Sequence, residues 1–367
     1  MNCPSISVII PVYNQERYVG KCIRSVLSQS FQDFEVIIVN DGSTDRSLRI
    51  CQRYEKKDSR ISIIDKQNAG LAQARKDGVL KAKGEYICFL DSDDYLASDA
   101  LELLYELAQK HQVDMVVGNY NQVWDSWKLV KKEPVPYSEK FIDRVIAKPE
   151  LTPLMLGLGG GWGYAWGIFA WGRLYRRDCI IRANEARGDL LFPSSRGIPS
   201  EDDWFNLAIT PFLSSIWITN RVVCHYRYGG TTTKDYPVIR KGGSLYDDRY
   251  DEIINSACEE VLPQLFDRYV LHLQWDVVNQ VHFLTSTDNE RRGFVLQEWK
   301  KRKIVQWARQ HSSELPVDMQ KDGLVHSVLM GDVNAFFVAV YEHERFLRKH
   351  HYWKMRILEN YQKIVDV

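Results

Sequence analysis

From Ser5 to Tyr120, short apolar runs alternate with amphipathic stretches, the pattern of a parallel sheet covered by helices. The runs Ile6 to Val12, Phe34 to Val39, Ile61 to Ile64, Tyr86 to Leu90 and Asp114 to Gly118 read as strands. Between the first two, Tyr18, Val19, Cys22, Ile23, Val26 and Leu27 recur at helical spacing and leave Glu16, Lys21 and Arg24 for solvent. Before the fifth, Leu101, Leu104, Leu107 and Ala108 form one stripe, with Ser98 to cap it and Asp99 and Glu102 against the positive helix end. After Tyr120 the rhythm is lost until about Phe205, and loops that choose substrates belong in such a region.

The stretch from Leu151 to Gly172 carries no charge and is long enough to span a bilayer. Pro153 and seven glycines make it a poor helix, and Trp162, Tyr164, Trp166, Phe169 and Trp171 are spread through it, so it reads as a buried or active-site loop. From about Asp251 the chain turns helical, with Ile253, Ile254, Ala257 and Val261 on one face and a break at Pro263. Basic residues beside Trp299, Trp307 and Trp353 suit an anionic membrane surface. They suit equally the solvated side of a helical cap or homodimer contact.

A chain of 367 residues, 45% hydrophobic, can bury the core of one large domain or two linked ones. Its 48 basic and 48 acidic residues give no reason to expect nucleic acid as a partner. The seven cysteines are scattered without a CxxC pair, which argues against a disulfide framework and a zinc site and fits a reducing cytosol. The N-terminus enters a strand-like run at once and lacks the pattern of a secretory leader.

Ligands of an open α/β sheet bind at the carboxyl ends of its strands. The first strand ends in Pro11-Val12-Tyr13-Asn14 rather than a GxGxxG turn, which removes the main reason to expect a nicotinamide or flavin enzyme. The second ends in Asn40-Asp41-Gly42-Ser43-Thr44-Asp45, where Asp41 can accept hydrogen bonds from a base or ribose and Ser43 or Thr44 would cap a helix in any case. The fourth runs into Leu90-Asp91-Ser92-Asp93-Asp94, three carboxylates in four residues, whose repulsion calls for a cation or a solvated turn. Mg2+ or Mn2+ is often held by one or two carboxylates plus substrate phosphates, and would neutralise charge on a departing diphosphate. An isolated Asp-x-Asp fits a solvated helix-capping turn as readily.

Three further segments add to this. Gln67 to Arg75 follows the third strand and would start a helix, with Arg75 about one turn in, where a cation faces a nucleotide. Glu201-Asp202-Asp203 can supply a general base distinct from the metal ligands, although an acidic first helical turn is its ordinary explanation. His225 precedes Gly229-Gly230-Thr231-Thr232-Thr233, a polar stretch able to fold over phosphates. That histidine can complete a metal shell or bind diphosphate, or be structural as lone histidines usually are.

With these residues assembled, the chain resembles the family-2 glycosyltransferases of the GT-A fold, which build bacterial capsules, O-antigens, teichoic acids and exopolysaccharides. The resemblance rests on Ser7 to Asn14, Val39 to Asp45, Asn68-Ala69-Gly70 with Ala74-Arg75, and Phe89 to Asp94. It continues more thinly through Ala170 to Arg177 and Glu201-Asp202. It implies a Rossmann-like, mostly parallel sheet with flanking helices over 1–240, split into a nucleotide-binding half (1–120) and an acceptor-binding half (121–240), then a mainly helical region over 241–367. Pro11, Tyr13, Asp41 and Arg75 would line a nucleotide pocket, usually for uridine; Asp91 with Ser92 would hold ribose and diphosphate, and Asp93, with His225, the Mn2+ or Mg2+ ion. Asp202 would be the base of an inverting single displacement.

Ser200, Asp203 and Gly172-Arg173 depart from the family pattern, where glycine, no competing carboxylate and Asn-Lys are usual. The QxxRW motif of processive synthases is absent, which points to addition of one sugar. The expected partners are a UDP-sugar donor and a glycan or lipid-linked oligosaccharide acceptor, met in the cytoplasm or at the inner face of its membrane. A sugar-1-phosphate nucleotidyltransferase would need a glycine-rich phosphate loop after the first strand, which is missing. A glycan-binding protein that kept the fold without turnover is the other alternative.

Overall fold

The computed structural model describes residues 3–124, 129–132, 141–148, 150–155, 169–187, 191–192, 201–228, 266, 303–313, 315, 323–332 and 335. The chain divides into two units, Met1–Pro237 and Val238–Val367.

The first unit opens with β1 (Ile6–Val12), α1 (Val19–Leu27), β2 (Phe34–Asp41), α2 (Ser47–Glu55), β3 (Ile61–Lys66), α3 (Leu71–Lys81) and β4 (Tyr86–Phe89). These strands pair in parallel, β1 with β2 and β4, and β2 with β3. There follow β5 (Tyr95–Leu96), α4 (Ala100–His111), β6 (Met115–Trp124), β7 (Leu129–Lys132), β8 (Val145–Ala147), α5 (Leu151–Met155), β9 (Arg173–Arg176), α6 (Arg177–Arg187), α7 (Glu201–Ile209) and β10 (Ser215–Tyr228). The sheet runs β3-β2-β1-β4-β9-β6-β10-β5, with β7 on β6 and β8 on β10. β9 is antiparallel to both neighbours, whereas β10 is parallel to β6 and antiparallel to β5 and β8.

Successive strand residues face opposite sides, and both sides are buried. Ile9, Ile37, Val39 and Phe89 pack with Ala74 and Val79 of α3, Cys179, Ile180 and Ala183 of α6, and Phe205, Ala208 and Ile209 of α7. Val8, Ile10, Val36, Ile38 and Cys88 pack with Cys22, Ile23 and Val26 of α1 and Leu101, Leu104 and Ala108 of α4. Burial on both faces is why these strands read as unbroken apolar runs. The turn into β4 lies directly on β1: a Cβ at Gly84 would stand 2.5 Å from the Ser7 amide nitrogen. The Gly84 N–H donates to Ser7 Oγ at 2.8 Å.

Several expectations are corrected. The start of α4 is Asp99 without a side-chain cap, and Ser98 instead offers its backbone carbonyl to the Ser30 N–H at 3.1 Å. The second half of the unit is more regular than its sequence suggests: β6 continues to Trp124, and β9, α6 and the 14-residue β10 follow. Leu151–Met155 is a helical turn, not loop. Trp162, Tyr164, Trp166, the stretch 229–233, the expected helical face from Ile253 to Val261, Trp299 and Trp353 lie outside the described residues.

In the second unit, α8 (Lys303–Gln310) and α9 (Gly323–Met330) pack together, with Val305, Ala308, Val325 and Val328 buried. Arg309 Nε donates to the Leu329 carbonyl at 2.6 Å. Among the described residues no helix is long and apolar enough to cross a membrane.

Candidate functional site

The loops at the carboxyl ends of β1, β2 and β3 are tied into one body by short polar bonds. The Asn14 N–H donates to Ser43 Oγ at 3.1 Å, and Asn14 Oδ1 accepts the Thr44 N–H at 2.8 Å. Next along, the Gln15 and Glu16 amides donate to Ser47 Oγ (2.7 Å) and Asp45 Oδ2 (2.9 Å). Ser43 and Thr44 therefore hold the neighbouring loop and do not cap α2; Arg46 precedes its first residue without a side-chain cap, and Asp45 Oδ1 accepts the Ser47 N–H at 2.8 Å.

Asp41 is buried and accepts the N–H groups of Ala69 and Gly70, each at 2.8 Å. Gly42 makes that approach possible: its φ is +71°, and a Cβ there would sit 2.7 Å from the Asn68 nitrogen. Asp41 thus shapes the loop with one lone pair on each oxygen, and each oxygen has further acceptor capacity. Pro11 is buried beneath this body, while the Tyr13 ring stands at its rim, 49% exposed.

Beyond β4 the acidic turn divides its carboxylates. Arg75, on α3 and 2% exposed, donates through NH2 to Asp91 Oδ1 at 2.8 Å and through NH1 to Asp202 Oδ1. The other oxygen of Asp202 accepts the Ala170 N–H at 3.0 Å. Three residues chosen from separate segments are thus joined, the outer two bridged by a guanidinium 127 residues from Asp202.

Asp202 rides on the first turn of α7, and Asn206, one turn on, anchors that helix. Asn206 Oδ1 accepts from Arg173 NH1 and the Tyr175 hydroxyl, both at 2.9 Å, while its Nδ2 donates to the carbonyls of Phe169 and Asp202. Sequence reasoning passed over Asn206; its signal is a polar residue four positions after Asp202, on the same helix face. Phe169 stacks on Trp171 at 4.5 Å and Trp171 on Tyr226 at 5.2 Å, so a run of three rings is built from the residues on either side of Ala170 and from β10.

The remaining acids sit deeper. Asp94 Oδ1 accepts the Arg227 N–H at 2.7 Å, and its Oδ2 is buried with no hydrogen-bond partner. Arg227 Nε donates to the Asp93 carbonyl at 2.7 Å. Burial, with the nearby Asp91 charge, pushes the Asp93 carboxyl up to about 6, and burial with Asp93 and Asp91 beside it pushes Asp94 well above its usual range. Burial also raises Asp202, against the opposing pull of Arg75. Ser92 is buried between these acids.

His225 lies on β10, not in a flexible stretch, with its ring stacked on Tyr95 at 4.6 Å. Lys21 Nζ sits 3.4 Å from the Tyr95 ring centre, and burial together with that cation lowers the His225 pKa, which favours a neutral ring. Its Nδ1 is buried without a hydrogen-bond partner.

Among the described residues no cluster of three His, Cys, Asp or Glu side chains is assembled to hold a metal. What is present is carboxylate repulsion and an orphaned Asp94 oxygen, an electrostatic cost that a divalent cation would offset. This donor set fits Mg2+ or Mn2+ bound through few protein oxygens, with phosphates supplying the rest.

Residues 7–169 match the family described as Glycosyl transferase family 2. EpsH, named as a glycosyltransferase of Bacillus subtilis (strain 168), is 30% identical over 300 residues, covering 80% of this chain and 81% of EpsH. The chain belongs to glycosyltransferase family 2. EpsJ of the same organism, also named a glycosyltransferase, is 39% identical over 206 residues, covering 56% of each chain. The match spans 56% of EpsJ, 42% of glycosyltransferase GlyA and 38% of glycosyltransferase GlyG, the last two of Streptococcus pneumoniae serotype 4. Among solved structures, S. aureus TarS 1-349 in complex with UDP-GlcNAc superimposes with a TM-score of 0.68 over 93% of this chain and 92% of TarS. At 19% identity this likeness establishes the family's GT-A fold.

Proposed function

We propose that this family-2 member transfers one sugar from a UDP-sugar to a hydroxyl of an acceptor glycan in bacterial cell-surface polysaccharide synthesis, with inversion and with Mn2+ or Mg2+ bound. The observation that carries the reading is the convergence of the Asp91 turn and Asp202 on one buried guanidinium at the carboxyl ends of the strands. That convergence supports a donor-side acid and a base acting within one site. The UDP-GlcNAc complex of TarS, which shares the fold, supports a nucleotide-sugar donor.

In this reading Pro11, Tyr13 and Asp41 form the nucleotide end: the exposed Tyr13 ring offers a face for the base, and Asp41 offers acceptor lone pairs. Asp91 and Ser92 lie along the ribose and diphosphate, and Asp93 would hold the metal, which when bound supplies positive charge to the leaving diphosphate. Asp202 accepts the proton of the acceptor hydroxyl as its oxygen bonds to the anomeric carbon. The bond from that carbon to the diphosphate breaks, and UDP leaves with the electron pair. The rings of Phe169, Trp171 and Tyr226 border the acceptor side.

A thermal-shift panel of nucleoside diphosphates and their sugars, with and without manganese, tests the donor half. A manganese-dependent rise with UDP or a UDP-sugar, lost in Asp93→Ala, is expected. Stability unmoved by every nucleotide would overturn the proposal.

A further inference from the structure

Arg75 offers its charge to the nucleotide in the sequence pattern, yet the fold spends that charge elsewhere. The residue is 2% exposed and its two terminal nitrogens point to two different carboxylates, Asp91 at 2.8 Å and Asp202. Its guanidinium carbon also lies 5.8 Å from the Phe89 ring centre, so an apolar floor lies beneath the charge. A planar fork can hold two carboxylates in fixed directions, which an ammonium cannot. Asp202 is gripped at both oxygens, by Arg75 at Oδ1 and by the Ala170 N–H at Oδ2. Its rotamer is therefore set, and its remaining lone pairs keep one direction each.

We infer that Arg75 is a positioning residue for sugar transfer, one that aims the Asp202 carboxylate and couples it to the donor-side Asp91 without touching the nucleotide. This rests on the transfer reading above. It assigns to one side chain the alignment of a base with a donor held by a different segment, and misplacement of a reacting group by about 1 Å costs on the order of 10²-fold in rate.

The test uses the full chain, with Arg75→Lys and Arg75→Met. UDP binding in the presence of Mn2+ is measured by calorimetry, and kcat and KM by transfer from the UDP-sugar that wild type uses. UDP affinity within about 3-fold of wild type is expected, with kcat down about 10²-fold in Arg75→Met. Arg75→Lys should recover part of that loss, and its crystal structure should show Asp202 displaced from the Ala170 amide. If Arg75→Met does not fold, Arg75→Lys decides alone. A collapse of UDP affinity in step with kcat/KM makes Arg75 a nucleotide contact and overturns the inference, as does an unchanged kcat. A wild type that binds no nucleoside diphosphate defeats the transfer reading itself.

Discussion

The strands β1–β4 and the strands β6–β10 build their parts of the site in different ways. In the first group each helix returns the chain beside a strand already made, and the loops at their carboxyl ends clamp one another through backbone amides, as Asp41 does with Ala69 and Gly70. In the second group all neighbours but β6 and β7 are distant in sequence, and the contribution to the site is made by Asp202 on α7, which depends on Asn206, Ala170 and Arg75. In the proposed reading the first part presents a fixed surface to the donor, and the second carries chemistry on a few side chains, each held by its own partners. Substitutions in the two parts should therefore separate binding from turnover.

The largest separation is expected from Asp202→Asn, which should lower kcat by about 10³-fold while leaving UDP affinity near wild type, as steady-state assay and calorimetry would show. In the proposed reading the same group sets the pH response. A base works only when ionised, and burial raises the Asp202 pKa, so transfer should fall as pH drops through a limb lying above the ordinary carboxylate value of about 4. A limb at or below that value would break the assignment.

Next in size is Asn206→Ala, which removes the one side-chain oxygen that accepts from both the Arg173 guanidinium and the Tyr175 hydroxyl. A loss of about 3 kcal/mol in denaturant unfolding is expected, with transfer reduced in whatever remains folded. Gly42→Ala, on the donor side, should cost about 2 kcal/mol from its positive φ and the contact with Asn68, and should weaken UDP binding more than it weakens turnover of bound donor. Smallest is Glu150→Ala, which removes an exposed pair with Arg144 beside β8. A change under about 0.5 kcal/mol is expected in the same unfolding measurement.

The same contrast explains what was legible in the sequence. β1–β4 are buried on both faces and announce themselves as apolar runs, yet β2 and β3 each extend two residues past their apolar parts, into Asn40-Asp41 and Asp65-Lys66. Those polar residues continue the ladder because the ends of these strands are where the site begins. β10 escaped because Thr219, Asn220 and Arg221 interrupt its alternation, where the pairing with β6 also shifts register. β9 escaped because it has four residues and two arginines, one of them buried with its guanidinium on Asn206. The stripe of Cys179, Ile180 and Ala183 in α6 was readable at helical spacing and was not read. The acids of the site could be chosen from motifs, but their division could not. That Arg75 would take Asp202 as well as Asp91, leaving Asp93 and Asp94 beside Arg227, depends on contacts to Asp202 and Arg227 that are more than a hundred residues apart.

The placement of β9 bears on how the chain is made. Four residues, Arg173–Arg176, fill the gap between β4 and β6, both of which leave the ribosome earlier. Until those residues emerge, two strands carry unpaired edges in what will be the middle of the sheet, where open edges invite pairing with other chains. A nascent chain halted before residue 177 should therefore be sticky and unfinished, even though the motifs that mark its donor loops are already translated.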